Sequence, residues 1–313
     1  MSSLPSAARR VLNEGTLCYL GAPSAAGPHL TPVVFVLDGD RVWGTTGRNT
    51  TKAKLWRRDP MAGGLIGFKG SWLSFRGAVT LYDALDPSTW PASLRRGPRV
   101  ASASVRFTIK NARFFAGYAR DATHVPFAWT PPGRVVFSVE LESGAVIEEE
   151  RVSRRWGAWG KTIEGSKSFR LATPGLAPDV LPADVRELLE RPGQATVALQ
   201  GADGPVVLPA RWSGERGTMW ASLSAETLSL GGPRVAGKAS LVVDQASEWR
   251  AAKMRGVMFR GLATAYVTSE VRSGRAELKS QVHGLTERSA AIRIRPRTAV
   301  WWSGWASGTV RPS

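Results

Sequence analysis

TPVVFVLDGDRVWGTT, residues 31–46, overlies LPARWSGERGTMWASL, residues 208–223, without a gap. At this offset of 177 residues Pro32 falls on Pro209 and Trp43 on Trp220. The same offset places LPSAARRVLNEG, from Leu4, on LPADVRELLERPG, from Leu181. Both stretches begin Leu-Pro and continue as an arginine-bearing amphipathic pattern, with Val11 and Leu12 matching Leu188 and Leu189. Towards the C-terminus, FRGAVTLY at 75–82 matches FRGLATAY at 259–266, where the offset has grown to 184. The second copy therefore gains about seven residues near Ser247 to Met254. Self-similarity in register over so long a stretch marks a tandem duplication, which decides the fold before any single element does.

Each copy reads alike. A short helix ends near a glycine, Gly15 or Gly193, as helices commonly do. Alternating or wholly apolar runs then predict strands: TLCYLGA, LTPVVFVL and RVWGTT, with the DGD at 38–40 turning the last two into a hairpin. RNTTKAKLWRRDP predicts a polar loop and short helix, and GGLIGF and SWLSFRGAVTLY two more strands. A return strand closes each copy, RVVFSVEL in the first and TAVWWSGW in the second. The expected fold is mostly β with short helices, two barrel modules in one chain. The expected boundaries are 1–150 for the first module, 151–177 for a linker and 178–313 for the second, with Trp156 and Trp159 packing the linker against the barrels.

The stretch from Thr45 to Lys54 carries the chemistry. Gly47 and Asn49 permit a tight turn, so that successive backbone N–H groups can converge on one anion. Thr50 and Thr51 add hydroxyls, Lys52 a positive charge, and the helix that begins here its positive dipole end. A solvated, capped basic helix is the alternative reading of the same residues. At the constant offset the second copy has Leu223 for Thr46, Thr227 for Thr50, Ser229 for Lys52 and Glu226 for Asn49. A carboxylate there would repel a bound dianion, so the expectation is one working site per chain.

The chain has 313 residues and a formal net charge of +17. The charge is arginine spread along both copies, not a basic arm, which speaks against a dedicated nucleic-acid binder. The single cysteine, Cys18, excludes an intramolecular disulfide and reads as a small core hydrophobe rather than a reactive thiol. His29, His124 and His283 lie apart, without partners at ligand spacing, so neither a metal site nor a Ser-His-Asp triad is expected. No apolar run approaches a membrane span, and MSSLPSAARR lacks the apolar stretch of a signal peptide. A cytoplasmic protein with no membrane partner is expected.

With these residues in place, the first copy resembles the FMN-binding split-barrel superfamily, which includes pyridoxamine-phosphate oxidase and the flavin and deazaflavin oxidoreductases. The resemblance rests on Thr31-Pro32-Val33, then Thr46, Thr50 and Lys52, then Asp59-Pro60 and the strand after it. It covers about residues 4–140 well and 181–310 more weakly. It implies two split β-barrel modules packed as an intrachain pseudo-dimer, because members are usually homodimers with their sites in the subunit interface; a monomer is then expected. It implies Thr31, Pro32 and Val33 against the ring of FMN or of the deazaflavin coenzyme F-420. Thr45, Thr46, Thr50, Thr51 and Lys52 fall at the ribityl and phosphate end.

Hydride chemistry would belong to the cofactor, which accounts for the lack of an obvious catalytic side chain. The expected activity is a flavin- or deazaflavin-dependent oxidoreductase acting on a small organic substrate. The alternative is a non-catalytic cofactor, haem or tetrapyrrole binder, with His29, His124, His283, Cys18 or Tyr19 as the available axial ligands. Positive charge at Lys54, Arg57, Arg58, Arg95 and Arg96 would suit the polyglutamate tail of the deazaflavin. Trp43, Trp72, Trp301 and Trp302 are expected in the core or stacked on the ring, and residues 83–132, without an equal in the second copy, across the barrel mouth.

Overall fold

The computed structural model describes residues 4–125, 133–159, 176, 178–201, 203–215, 218–230, 236–246, 250–282 and 284–311. The first copy runs α1 (Ser6–Glu14), β1 (Leu17–Ala22), β2 (His29–Asp38), β3 (Arg41–Gly47), α2 (Thr51–Arg58), β4 (Met61–Phe68), β5 (Ser71–Tyr82), α3 (Trp90–Lys110), α4 (Ala112–Arg120), β6 (Arg134–Glu148) and β7 (Arg151–Trp156). The second runs α5 (Ala183–Arg186), β8 (Gly193–Gly201), β9 (Gly204–Glu215), β10 (Thr218–Ser224), α6 (Ala225–Ser229), β11 (Ala236–Gln245), β12 (Arg255–Val267), α7 (Arg275–Gln281), β13 (Ser289–Ser303) and β14 (Ala306–Val310).

The two sheets have one topology. The first is ordered β3-β2-β1-β4-β5-β6-β7 and closes through β3–β6; the second is ordered β10-β9-β8-β11-β12-β13-β14 and closes through β10–β13. Each is a closed six-stranded antiparallel barrel with one further strand, and closure removes the exposed sheet edge. Even the irregularities repeat. Both long strands shift register at FRG, between Arg76 and Gly77 and between Arg260 and Gly261. A Cβ at Gly77 or Gly261 would overlap a carbonyl oxygen of the facing strand, Glu140 or Arg295, so the bulge requires glycine in both copies. Trp43 stacks on Tyr82 with ring centroids 5.4 Å apart, and Trp220 meets Tyr266 at 6.1 Å.

The region read as linker opens with β7, paired with β6, so the first sheet extends past residue 150. Strand pairing satisfies the β7 backbone, and neither an apolar run nor a turn residue announces it. Trp156 packs against the first core and Trp159 against the second; residues 160–175, also read as linker, lie outside the described residues.

The barrels meet around Leu30, Leu65, Ala198, Val207, Val242 and Met258, all buried. The contact is close to two-fold. The Ser74 hydroxyl donates to the Val207 carbonyl at 2.7 Å, while Met258, at the position of Ser74, accepts from the backbone N–H of Leu30, at the position of Val207, at 3.1 Å. Reciprocal contacts of this kind characterise a self-complementary dimer interface. The Tyr19 hydroxyl also donates to Asp244 across the interface at 3.0 Å.

Candidate functional site

The two copies enclose a cavity of about 760 Å³. β2 contributes Thr31, Pro32 and Val33 to its wall; the end of β3 and the start of α2 contribute Thr45, Thr46, Thr50, Thr51 and Lys52. All eight residues singled out from the sequence thus line one cavity. The second copy supplies the opposite wall, with Val300, Trp301 and Trp302 from β13 and Trp305 from the β13–β14 turn. The seven-residue gain of that copy adds Ala251 and Met254.

Local sequence explains the anion end. Thr50 caps α2 by accepting from the Ala53 N–H at 3.4 Å, and its hydroxyl donates to the Gly47 carbonyl at 2.8 Å. That bond folds the Gly47–Thr50 turn back on itself, and the first residues of the helix, Thr51 and Lys52, line the cavity. Thr46 and Thr50 hydroxyls lie 3.2 Å apart. Arg134, at the start of β6, holds the Thr45 hydroxyl at 2.8 Å and its carbonyl at 3.0 Å. The cavity wall carries Arg48, Lys52 and Arg134 and no carboxylate among the described residues.

Lys52 differs from the sequence expectation in one respect. It is 2% exposed, its ammonium donates to the Thr31 carbonyl at 3.3 Å, and it lies 5.6 Å from the centre of the Trp56 ring. Burial pushes its pKa down from 10.5 to about 7, because leaving water penalises the charged form. It is a buried, titrating amine rather than a solvated cation. Beside it, burial and the nearby Lys52 and Arg260 charges lower the His29 imidazole to about 3, so the ring is neutral, and its Nδ1 has no hydrogen-bond partner.

Other expectations divide. Trp301 and Trp302 line the cavity; Trp43 lies on Tyr82 in the cluster between the first barrel and α3, and Trp72 packs where the barrels meet. TAVWWSGW is not one strand: the chain turns at Gly304, which places Trp305 over the cavity, 5.3 Å from Tyr118 edge to face. Tyr118 and Phe114 come from α4, so of residues 83–132 it is α4 that lines the cavity, while 126–132 lie outside the described residues; the stretch beginning DPSTWP forms α3, which packs on β2 and β5. No periodicity marks Tyr118, Trp305 or Arg134 as site residues; only the closure of the fold gathers them. Cys18 is wholly buried, with its thiol pushed up to about 12. His124 hydrogen-bonds Thr123 at 3.0 Å on the surface, and His283 lies outside the described residues.

The positive cluster is also rearranged. Buried Asp83 pairs with Arg48 at 2.9 Å and Arg57 at 3.0 Å, and Asp86 takes Arg57 again at 3.3 Å. Arg95 and Arg96 line a separate hollow beside α3. The pairing of Lys52 with Ser229 and Asn49 with Glu226 fails as well. Ser224 caps α6 by accepting from the Thr227 N–H at 3.1 Å, as Thr50 caps α2. The turn before the helix is thus three residues shorter in the second copy, and Glu226, at the second helical position, is exposed to solvent.

No protein-family model matches the sequence, and no curated protein matches it. Solved structures do resemble half of it, and both closed barrels have the strand order described above. The two modules are closed barrels, mostly strand with short helices. Similar structures include a pyridoxamine 5'-phosphate oxidase-related, FMN-binding protein from Nostoc punctiforme, 16% identical over 47% of this chain and 87% of that one, with a TM-score of 0.34. An F420 reductase is 15% identical over 45% of this chain and 98% of its own, at 0.31. A heme-binding protein from Mycobacterium smegmatis is 11% identical over 50% and 60%, at 0.34.

Proposed function

We propose that the cavity holds one flavin-type cofactor per chain, FMN or the deazaflavin coenzyme F-420, and that the protein is an oxidoreductase passing hydride to a small organic substrate. One observation carries the reading: a capped helix N-terminus, Lys52 and Arg134 meet, with no carboxylate among the described lining residues, in a cavity whose far wall is aromatic. Its size falls within the roughly 300–1,000 Å³ of small-molecule sites. The free N–H groups of α2, with Thr50, Thr51 and Lys52, would hold the phosphate. Thr31, Pro32 and Val33 would lie along the ring, with Trp301 and Trp302 opposite. Bound there, the cofactor supplies the hydride chemistry. The protein's part is orientation, exclusion of water by Trp305 and Tyr118, and a proton on Lys52 that a phosphate dianion would stabilise.

The extra charge argument for the deazaflavin weakens once Arg57 is tied to Asp83 and Asp86, which leaves FMN and F-420 level. A haem reading keeps one supporting observation, the neutral His29 imidazole in the cavity wall, whose Nδ1 has no hydrogen-bond partner. Titration of the purified protein with FMN, F-420 and haemin, each followed optically, tests the proposal. Saturable binding of either flavin, with loss on Lys52→Glu, supports it. A Soret band that shifts on His29→Ala replaces it with the haem reading, and binding of none of the three rejects it.

A further inference from the structure

We infer that α3 docks this protein onto an anionic lipid bilayer, lying in the interfacial plane. Eight large apolar side chains are exposed among the described residues, and six of them, Leu85, Trp90, Leu94, Val105, Ile109 and Phe115, belong to the stretch around α3. Solitary exposed apolar residues are normal; a cluster is not. Four recur on one face of α3: Trp90, Leu94, Val105 and Ile109 are 50%, 83%, 61% and 71% exposed. At 100° per residue they fall within one apolar stripe. The opposite face, with Ala103 and Phe107, is buried against the barrel. The outward stripe therefore has no partner among the described residues.

Charge identifies what covers it. From Pro87 to Arg120 the chain has seven Lys and Arg and no Asp or Glu. Arg95, Arg99 and Arg106 flank the stripe, and Arg106 also pairs with Asp38 at 3.2 Å. Beside them lies a hollow of about 940 Å³ lined by Arg41, Arg95, Arg96 and Arg99 together with Asp40 and Glu140, the last of which pairs with Arg41. An apolar stripe bordered by arginines matches an acyl layer bordered by phosphates. A second copy of the chain would bring the same positive charges against these. A nucleic acid would offer phosphates but nothing apolar to receive Leu94 and Ile109. No helix of the described residues is long and apolar enough to cross a membrane, so α3 would lie on the surface rather than span.

The test is co-sedimentation of the full chain with sucrose-loaded vesicles of phosphatidylcholine alone or with about 30 mol% phosphatidylglycerol. The expected result is binding to the anionic vesicles only, lost as salt is raised. L94E/I109E should bind about tenfold less, while melting within about 2 °C of the parent because both side chains are exposed. The proposal is overturned if anionic vesicles pellet no protein, or if L94E/I109E binds them undiminished. It is equally overturned if gel filtration shows a dimer that L94E/I109E dissolves, which would make a second copy the occupant.

Discussion

The two copies place the same device at equivalent points, and only one leaves room for a ligand. In each, a hairpin of one barrel reaches over the capped helix N-terminus of the other. Over α6 the β6–β7 turn delivers its own backbone: the Glu150 carbonyl accepts from the Ser224 hydroxyl and, at 3.4 Å, from that of Thr227. Over α2 the β13–β14 turn stands back and presents Trp305 as a wall. Two insertions account for the difference. Three extra residues before α2 bring Arg48 and Asn49 into the cavity lining, and the seven gained before β12 anchor the opposing turn, Gly304 N–H donating to the Met254 carbonyl at 2.8 Å. The first copy has only the Lys69–Gly70 turn at that point, and its hairpin closes onto Ser224. By the shared cap, the second helical position is Lys52 in α2 and Glu226 in α6; Lys52 is buried against the cavity, whereas Glu226 faces solvent and a main-chain carbonyl fills the space over the cap.

The largest difference between the copies is expected to show at Lys52. Lys52→Glu should weaken flavin binding at least about a thousandfold by setting a carboxylate against the phosphate. Lys52→Met, folded by circular dichroism, controls for the effect of burial. Next is pH. Lys52 is lowered to about 7 in the folded protein, so it is increasingly neutral above that value and a bound dianion must draw a proton. Affinity should fall roughly tenfold per pH unit above pH 7 until the bound-state pKa is reached. The same depression means that the unfolded chain holds the extra proton between about pH 7 and 10.5, so wild-type stability gains on rising through that window. Lys52→Met should flatten both slopes, in titration and in denaturant melts.

Smaller effects sharpen the contrast. Tyr118→Ala or Trp305→Ala should cost about tenfold in cofactor affinity through lost ring contact. Ser224→Ala should lower stability by about 1 kcal/mol, as loss of an N-cap does, without touching affinity. Thr50→Ala should lower both. Smallest is Glu149→Gly: Glu149 and Glu150 hold φ of 49° and 64° in the plugging turn, and relieving one should add about 0.5 kcal/mol in chemical denaturation.

The fold was legible because a duplication states its pattern twice: Trp43 and Trp220, or the FRG bulges, each gain force from the other. The near wall was legible for a local reason, since a glycine turn, a threonine cap and a lysine lie within ten residues. Of the far wall Trp301 and Trp302 were legible as strand tryptophans, but the remaining lining was not. Trp305, Tyr118 and Arg134 come from a turn, an inserted helix and a strand start, and nothing in their neighbourhoods distinguishes them from surface or core residues. An ungapped offset also misled at Glu226, because strand register holds through Leu223 while the next turn loses three residues. Burial of Lys52 depends on how Trp56 and β2 close around it, which no spacing shows.

Calorimetric titration of the full chain with the flavin that binds shows whether one copy or both hold a cofactor. One cofactor per chain in the parent and in Ser224→Ala, with none in Lys52→Glu, is the predicted result. Two per chain, or one that survives Lys52→Glu and is lost in Ser224→Ala, would place the site in the wrong copy and contradict the account.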